Sequence, residues 1–265
     1  MKAANDSAAS IRVLARGDRV TWLRRMLCFA VTLIWCCLHQ AVCVAITLQP
    51  DESTSKDTFV YQFLSGYNFD SVSFPGTFGN LLSAGKTGSG HDTESLLQFD
   101  LSTVGLTGSQ VSSATLQLHV IDTVSAGFGL SPDATHPVQI DVTAITESWS
   151  ESGGSGVTWN TLPGAAGSPA TSQSLNQVNV MVSFDVTNLV KQWLDGSLAN
   201  NGFLLTQEAA VGVSGAYHVA VFDSSAGTVA PLLTIVPEPA TAVLVLLGTA
   251  GLAIFRLRKC RGFDA

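Results

Sequence analysis

The chain has 265 residues, 46% of them hydrophobic and only 12% charged, with a formal net charge of −7 at pH 7. This composition excludes an intrinsically disordered chain, a coiled coil and a collagen-like repeat, and the length fits one or two domains. Residues 46–236 hold three lysines against sixteen carboxylates and no arginine. An acidic surface repels phosphate, so nucleic-acid binding is excluded as a function class.

Residues 1–45 have the pattern of a secretory signal peptide. Arg24 and Arg25 precede a short apolar run over 26–38, and small residues follow up to Ala45. The run is too short to cross a bilayer before His39 interrupts it, which favours a cleaved signal over a membrane anchor. We therefore expect an exported protein that is cleaved near Ala45.

Cysteine use follows the same division of the chain. All five cysteines lie outside 46–236, four in the N-terminal segment and one, Cys260, in the C-terminal tail. The middle segment therefore has no disulfide framework, no thiol nucleophile and no cysteine metal site.

The middle segment alternates apolar and polar residues with a period of two, which is typical of half-buried antiparallel strands. The clearest cases are Val111–Val120 and Val178–Val186. Further predicted strands are Asp57–Phe63, Leu81–Gly85, Ser95–Leu101, Val138–Ile145, Val157–Asn160, Phe203–Gln207, Tyr217–Phe222 and Leu232–Val236, while Thr87–Gly90, Glu151–Gly156 and Pro163–Ser174 are predicted connectors. About ten strands at this spacing predict an all-β fold, a jelly-roll-like antiparallel β-sandwich over residues 46–236.

One segment breaks the period of two. Thr187–Gly196 places apolar residues three and four apart between an expected N-cap at Thr187 and a glycine at Gly196. This spacing predicts one short helix with an apolar stripe that covers an end of the sandwich.

The same segments resemble the DNRLRE domain over nearly all of 46–236. The resemblance lies in LLSAGK at 81–86, ESLLQFDL at 94–101, VSSATLQL at 111–118, ITESWSE at 145–151, VTWN at 157–160 and VSFDVTNLV at 182–190. It implies a β-sandwich module of an exported protein, related to carbohydrate-binding modules that attach to acidic polysaccharides. Family members often carry a basic residue where Gln98 stands here, and this chain has no arginine in the segment.

The C-terminal segment, 237–265, begins with Pro237-Glu238-Pro239, continues with sixteen uncharged residues over 240–255 and ends in a basic cluster. The uncharged run predicts a short transmembrane helix with a cytoplasmic basic end, and a plain membrane anchor is one interpretation. The three parts in this order resemble the PEP-CTERM protein-sorting signal. The resemblance implies recognition by exosortase, transient anchoring in the inner membrane and a final location at the cell surface or in the extracellular matrix.

Catalytic motifs are missing from the sequence. It has no Gly-x-Ser-x-Gly elbow, and His91, His119, His136 and His218 lack zinc-ligand spacing. We expect His119 to be solvated on the polar face of its strand, and His91-Asp92 with Glu94 to form a hydrated loop. Glu147 and Glu151 flank Trp149 and invite a glycosidase interpretation, but the DNRLRE resemblance implies a structural turn here. The sequence therefore predicts a protein that is not an enzyme.

No sequence motif identifies the residues that would bind a cofactor or a glycan. The many carboxylates make structural Ca²⁺ a candidate cofactor, although no Asp-x-Asp-x-Asp loop identifies its ligands. We expect Trp149, Trp159 and Trp193 to pack in the core, because large rings dominate core energetics. The candidates for an exposed glycan-binding face are the aromatic residues of a Gly/Ser-rich stretch: Tyr61, Tyr67, Phe69, Phe74 and Phe78.

Three function classes follow. The leading one is a non-catalytic module that binds polysaccharide or scaffolds the extracellular matrix. The others are a structural or adhesive surface protein that binds no sugar, and a glycan-active enzyme. The net charge of −13 over 46–236 favours neutral glycans, or anionic ones bridged by calcium.

Overall fold

Antiparallel strands dominate the computed structural model, which describes residues 44–50, 55–69, 81–122, 129–207 and 218–239. All of these except Pro239 belong to one compact unit, Cys43–Glu238. The predicted signal peptide up to residue 43 and the tail from residue 240 lie outside the described residues. Within the described ranges, no helix is long and apolar enough to cross a membrane.

Eleven strands and one α-helix occur in the described part of the chain. The strands are β1 (Ile46–Leu48), β2 (Lys56–Tyr61), β3 (Leu81–Lys86), β4 (Asp92–Gln98), β5 (Val111–Ile121), β6 (Val138–Ala144), β7 (Thr171–Leu175), β8 (Val180–Asp185), β9 (Phe203–Gln207), β10 (Val219–Asp223) and β11 (Leu232–Pro237). The helix, α1, spans Thr187–Leu194. This confirms the predicted all-β sandwich with one short helix.

The strands form two arms. In one arm β5 pairs with β8, β10 and β11, and β11 pairs with β1. In the other arm β4 pairs with β2, β3 and β9, and the ladder continues through β6 to β7. The pair of β3 and β10 joins the arms, and every strand pair is antiparallel.

The main core lies between the arms, because the period of two sends alternate side chains of each strand inward. It combines Leu116 and Leu118 of β5 and Phe184 of β8 with Ile140 of β6 and Phe203 of β9, all with no exposed area. Two smaller clusters cover β2: Phe59 packs with Phe69, Leu81, Val219 and Val221, and Val60 packs with Leu96, Ile145, Trp149, Val157 and Leu204.

One predicted strand and one predicted connector were wrong. Val157–Asn160 is not a strand: a 3-10 turn forms at Trp159–Thr161, because the Thr161 hydroxyl accepts the Thr158 N–H at 2.9 Å. Within the predicted connector Pro163–Ser174, residues from Thr171 onward form β7. The polar sequence of β7 hides it, but its backbone pairs with Val138–Val142 of β6.

Smaller differences lie at element boundaries. β1 adds an unpredicted edge strand beside β11. β4 starts at Asp92 rather than Ser95 and ends at Gln98, because the Asp100 carboxylate accepts the Ser102 N–H at 2.8 Å and turns the chain.

The helix matches its prediction except at the N-cap. Leu189, Val190 and Trp193 are buried, and Gly196 ends the helix at a φ of 69°, as a glycine beyond the last turn should. Thr187, however, is the first helical residue. The Asp185 carboxylate takes over the capping role, because it accepts the Thr187 N–H at 3.0 Å and its hydroxyl at 2.6 Å.

Candidate functional site

A cluster of three rings, one of them exposed and two half-buried, lies where β2 ends and β4 begins. We call Tyr61, Phe63 and His91 the aromatic patch. The Phe63 side chain, on the 3-10 turn Gln62–Leu64, is 61% exposed. Its ring centroid lies 5.0 Å from that of His91 and 6.0 Å from that of Tyr61. Buried aromatic rings are the rule in a folded domain, so a large exposed ring with aromatic neighbours marks a candidate contact surface.

Hydroxyl groups fix the edge of the aromatic patch. The Ser89 hydroxyl lies 2.9 Å from the Tyr61 hydroxyl and 3.2 Å from His91 Nδ1. The Thr87 hydroxyl donates to the His91 carbonyl at 3.0 Å and lies 3.0 Å from the Ser89 hydroxyl. The loop between β3 and β4 is thereby tied to β2, which holds the rings and a row of polar groups side by side.

An ion pair stands next to the aromatic patch. Lys86 Nζ lies 2.6 Å from Asp92 Oδ1, and the Asp92 N–H donates to Gln62 Oε1 at 3.1 Å. Both side chains of the pair are about 40% exposed. This local pairing of charges gives a polar but nearly neutral surface, within a segment whose overall charge is strongly negative.

Glu94 adds a buried titratable group on the same strand as Asp92. Burial raises the pKa of its carboxyl from 4.5 to about 7, and the charge of Asp92 adds to the rise.

The aromatic residues that were predicted to bind glycan lie in different environments. Tyr61 belongs to the aromatic patch, and Tyr67 is 54% exposed on the loop that follows it. Phe74 and Phe78 lie outside the described residues. The expectation for Phe69 was wrong: it is 3% exposed and stacks on Phe59 at 4.6 Å between ring centroids, because the loop folds back over β2.

Sequence reasoning did not include Phe63 and His91 among the glycan-binding candidates. Phe63 lay at the end of the predicted strand Asp57–Phe63, but the chain leaves β2 after Tyr61 and Phe63 stands on the 3-10 turn Gln62–Leu64, so the alternation of a strand did not report its exposure. For His91 the sequence predicted a hydrated loop. Its contact with Phe63 could not be read from the sequence, because it forms only when β2 and β4 pair.

Tryptophan positions agree with core packing. Trp149 and Trp193 are each 7% exposed, which confirms the prediction for these two. Trp149 Nε1 donates to the Asn201 carbonyl at 2.8 Å. Trp159 is half-buried against the cluster around Val60.

Glu147 and Glu151 each accept a hydrogen bond from a backbone N–H. Glu147 accepts the Gly164 N–H at 3.0 Å, and Glu151 accepts the Asp57 N–H at 3.0 Å. Each carboxylate therefore holds a backbone segment in place, in agreement with the structural turn that the resemblance implied.

The expectation of a solvated His119 was wrong. Its Nδ1 lies 2.7 Å from Asp223 Oδ2, and the Asp223 side chain is only 8% exposed. The contact spans neighbouring strands: Val120 and Ile121 of β5 pair with Phe222 and Val221 of β10, and no sequence period reports that pairing.

The predicted cleavage position and the Pro-Glu-Pro motif lie at the two chain ends of the sandwich. Ala45, the predicted cleavage position, is exposed and directly precedes β1. Pro237 closes β11 opposite Val111, and the Glu238 N–H donates to the Gln110 carbonyl at 2.7 Å. Glu238 and Pro239 are exposed. The first part of the Pro-Glu-Pro motif thus continues the last strand of the fold.

No group of three or more His, Cys, Asp or Glu side chains in the described ranges is arranged to hold a metal ion. Structural Ca²⁺ therefore stays a prediction without named ligands.

Comparison with known proteins gives two matches. The model of carbohydrate-binding module family 96 matches residues 51–236, and the PEP-CTERM protein-sorting motif matches residues 236–259. No curated protein matches the chain. The two matches meet at residue 236, where the sandwich passes into the tail, and they confirm the expected relation to carbohydrate-binding modules and to the PEP-CTERM signal.

Proposed function

The chain belongs to carbohydrate-binding module family 96, and we propose on this premise that it is an exported, non-catalytic polysaccharide-binding protein of the cell surface or extracellular matrix. The PEP-CTERM motif supports sorting by exosortase after transient anchoring in the inner membrane. The assignment to DNRLRE domains stays a prediction that agrees with this family.

The aromatic patch is the observation that carries the proposal to specific residues. The nonpolar face of a sugar ring packs on an aromatic ring such as that of Phe63, while its hydroxyls find partners on Ser89, His91 and the Lys86–Asp92 pair. Binding sites of this kind combine apolar contact area with a few placed polar groups. We propose that the aromatic patch is the glycan-contacting surface, with Tyr67 as an additional exposed ring.

Electrostatics decides which glycans fit. The segment has a net charge of −13, and the one lysine at the aromatic patch is already paired with Asp92. Direct salt bridges to uronates are therefore disfavoured, and neutral polysaccharides, or anionic ones bridged by calcium, are the proposed ligands.

The test is binding of the purified full-length chain to neutral polysaccharides and to a uronate polymer, each with calcium and with a chelator. In the variant Phe63→Ala we expect affinity to fall about five- to tenfold, because an aromatic stacking contact contributes of order 1 kcal/mol beyond its area. Phe63→Trp should keep the affinity, since it retains a ring.

Met181→Ala is the matched control, because Met181 is another exposed hydrophobic side chain, 44% exposed on β8. Equal losses in Phe63→Ala and Met181→Ala would contradict the aromatic patch as the binding surface. Absence of binding to every polysaccharide would favour the structural or adhesive alternative, and release of reducing sugar would favour an enzyme.

A further inference from the structure

A polar groove lies at the other end of β4, away from the aromatic patch. Lys56 and Gln98 face each other at the ends of β2 and β4, and the rest of the wall comes from the loop after β4, the C-terminal part of α1 and the loop before β9. The groove has a volume of about 550 Å³. This size falls within the range of small-molecule sites, about 300–1,000 Å³.

Three residues of this wall carry unused hydrogen-bonding atoms. Gln98 Oε1, Asn200 Oδ1 and Trp193 Nε1 are buried and have no hydrogen-bond partner among the described residues. The amide nitrogens are occupied: Gln98 Nε2 donates to the Asn200 carbonyl at 2.6 Å, and Asn200 Nδ2 donates to the Phe99 carbonyl at 2.8 Å. Two acceptors and one donor are therefore left over in one wall, and the Trp193 side chain that carries the donor is only 7% exposed.

Buried polar atoms without partners are costly, so a cluster of them needs an explanation. Here the explanation is chemical, because amide oxygens accept hydrogen bonds and an indole N–H donates one. A hydroxyl group has one O–H to donate and two lone pairs that accept, so two hydroxyl groups of a sugar are needed to match the two acceptors and the one donor. These atoms have almost no accessible area, so a ligand reaches them only where the side chains of the wall move aside.

Charge along the groove selects the ligand further. Lys56 and Asp100 contribute one positive and one negative group. Lys56 Nζ donates to the Trp149 carbonyl at 2.7 Å, and the Asp100 carboxylate accepts from Ser102. The groove is therefore polar and without net charge, which fits a neutral ligand better than a uronate or a phosphate.

We propose that this groove is a second binding subsite, which takes one neutral polyhydroxylated sugar residue through Gln98, Asn200 and Trp193. The inference rests on the proposed carbohydrate binding but uses none of the residues of the aromatic patch. At Gly202, which has a φ of 94°, the chain passes so close to Leu97 and Gln98 that a Cβ would collide with the Leu97 carbonyl, and this close approach brings the loop before β9 to the end of β4.

The Trp193 indole proton reports directly on this subsite. The chain has five tryptophans, so the full-length protein in detergent, labelled with ¹⁵N-tryptophan, shows few indole signals, and Trp193→Phe identifies one of them. Methyl glycosides of neutral hexoses are the probes, with glucuronate for comparison. We expect a saturable downfield shift of the Trp193 signal with a neutral glycoside, as its N–H gains an acceptor. The Trp149 signal should stay in place, since Trp149 Nε1 already donates to Asn201.

Two variants test the walls. Gln98→Met keeps the length of the side chain but removes the amide oxygen together with the Nε2 donor to Asn200, and Ser102→Trp fills the groove. We expect affinity for the neutral glycoside to fall about fivefold or more in each, the effect of losing one hydrogen bond. Thr103→Trp is the matched control, because Thr103 is exposed beside Ser102 and does not line the groove.

Failure of the subsite and failure of carbohydrate binding give different results. If the chain binds polysaccharide in a Phe63-dependent way while the Trp193 signal does not move, the subsite is wrong and the proposed function stands. A non-saturable shift of the Trp193 signal with every sugar would also contradict the subsite alone. So would the finding that water is the only partner of Gln98 Oε1, Asn200 Oδ1 and Trp193 Nε1. If neither polysaccharide nor glycoside binds, the proposed function fails together with the subsite.

Discussion

Glu94 is a single residue whose burial links stability to pH. Its pKa is raised to about 7 in the fold by burial and by Asp92, against 4.5 as its ordinary value. Between these two values the folded chain binds a proton that the unfolded chain has released. The free energy of unfolding therefore falls as pH rises from 4.5 to 7, because ionisation of the buried carboxyl is disfavoured.

We expect Glu94→Gln to raise the free energy of unfolding by about 3 kcal/mol at pH 8 and to change it little at pH 4, by conversion of the pKa difference. Urea unfolding of the variant and the native chain at both pH values measures this. Glu238→Gln, at an exposed carboxyl in another part of the chain, is the control. A gain for Glu94→Gln that is the same at pH 4 and pH 8 would show that the carboxyl does not titrate in this range.

At the scale of an element, α1 shows how β8 passes into a helix. Phe184 is buried in the main core, and Asp185 directly after it accepts two hydrogen bonds from Thr187. These bonds lower the pKa of the Asp185 carboxyl. The Thr187 hydroxyl also accepts the Ala114 N–H at 2.9 Å, which ties the start of the helix to β5.

Asp185→Ala should lower the free energy of unfolding by about 1 kcal/mol, the usual effect of removing a capping side chain. Asp185→Asn keeps an acceptor oxygen and should recover most of the loss, as measured by urea unfolding near neutral pH. If Asp185→Ala and Asp185→Asn lose stability equally, negative charge rather than acceptance of the Thr187 hydrogen bonds is the stabilising factor.

At the scale of the whole molecule, the fold and the sorting signal meet without a spacer. β11 ends at Pro237, and the Glu238 N–H beyond it still donates to the Gln110 carbonyl. Removal of residues 240–265 would therefore leave all eleven described strands complete. Loss of further residues from Pro237 back to Leu232 would remove the pairing of β11 with β5 and with β1.

We accordingly predict that the processed protein begins near Ile46, lacks residues 240–265 and remains folded. Intact-mass measurement of protein from a host with the sorting enzyme, and from the same host without it, decides this. The smaller mass should appear only when the enzyme is present, and Glu238→Ala should keep the larger mass because it alters the recognised motif. Equal masses in both hosts would leave a membrane anchor as the interpretation of the tail.

The limits of prediction are clear at particular residues. The strand Val111–Val120 was predicted nearly to its ends, because a half-buried strand alternates apolar residues toward the core with polar residues toward solvent. β7 was missed because its residues are mostly polar, and only its pairing with β6 makes it a strand. The aromatic patch was predicted in part: Tyr61 has a local signal, whereas the contact between Phe63 and His91 depends on two strands that meet in space.

By itself, the sequence determined the all-β class, the short helix found among the described residues and the signs of export and sorting, since each of these is a local pattern of polarity, charge or motif. Tertiary structure alone decided that Phe69 is buried while Phe63 is exposed, and that His119 pairs with Asp223. It also decided that Gln98, Trp193 and Asn200 leave unused hydrogen-bonding atoms in one wall. These outcomes depend on contacts between residues far apart in the chain, and burial and hydrogen bonding are properties of those contacts rather than of residue types.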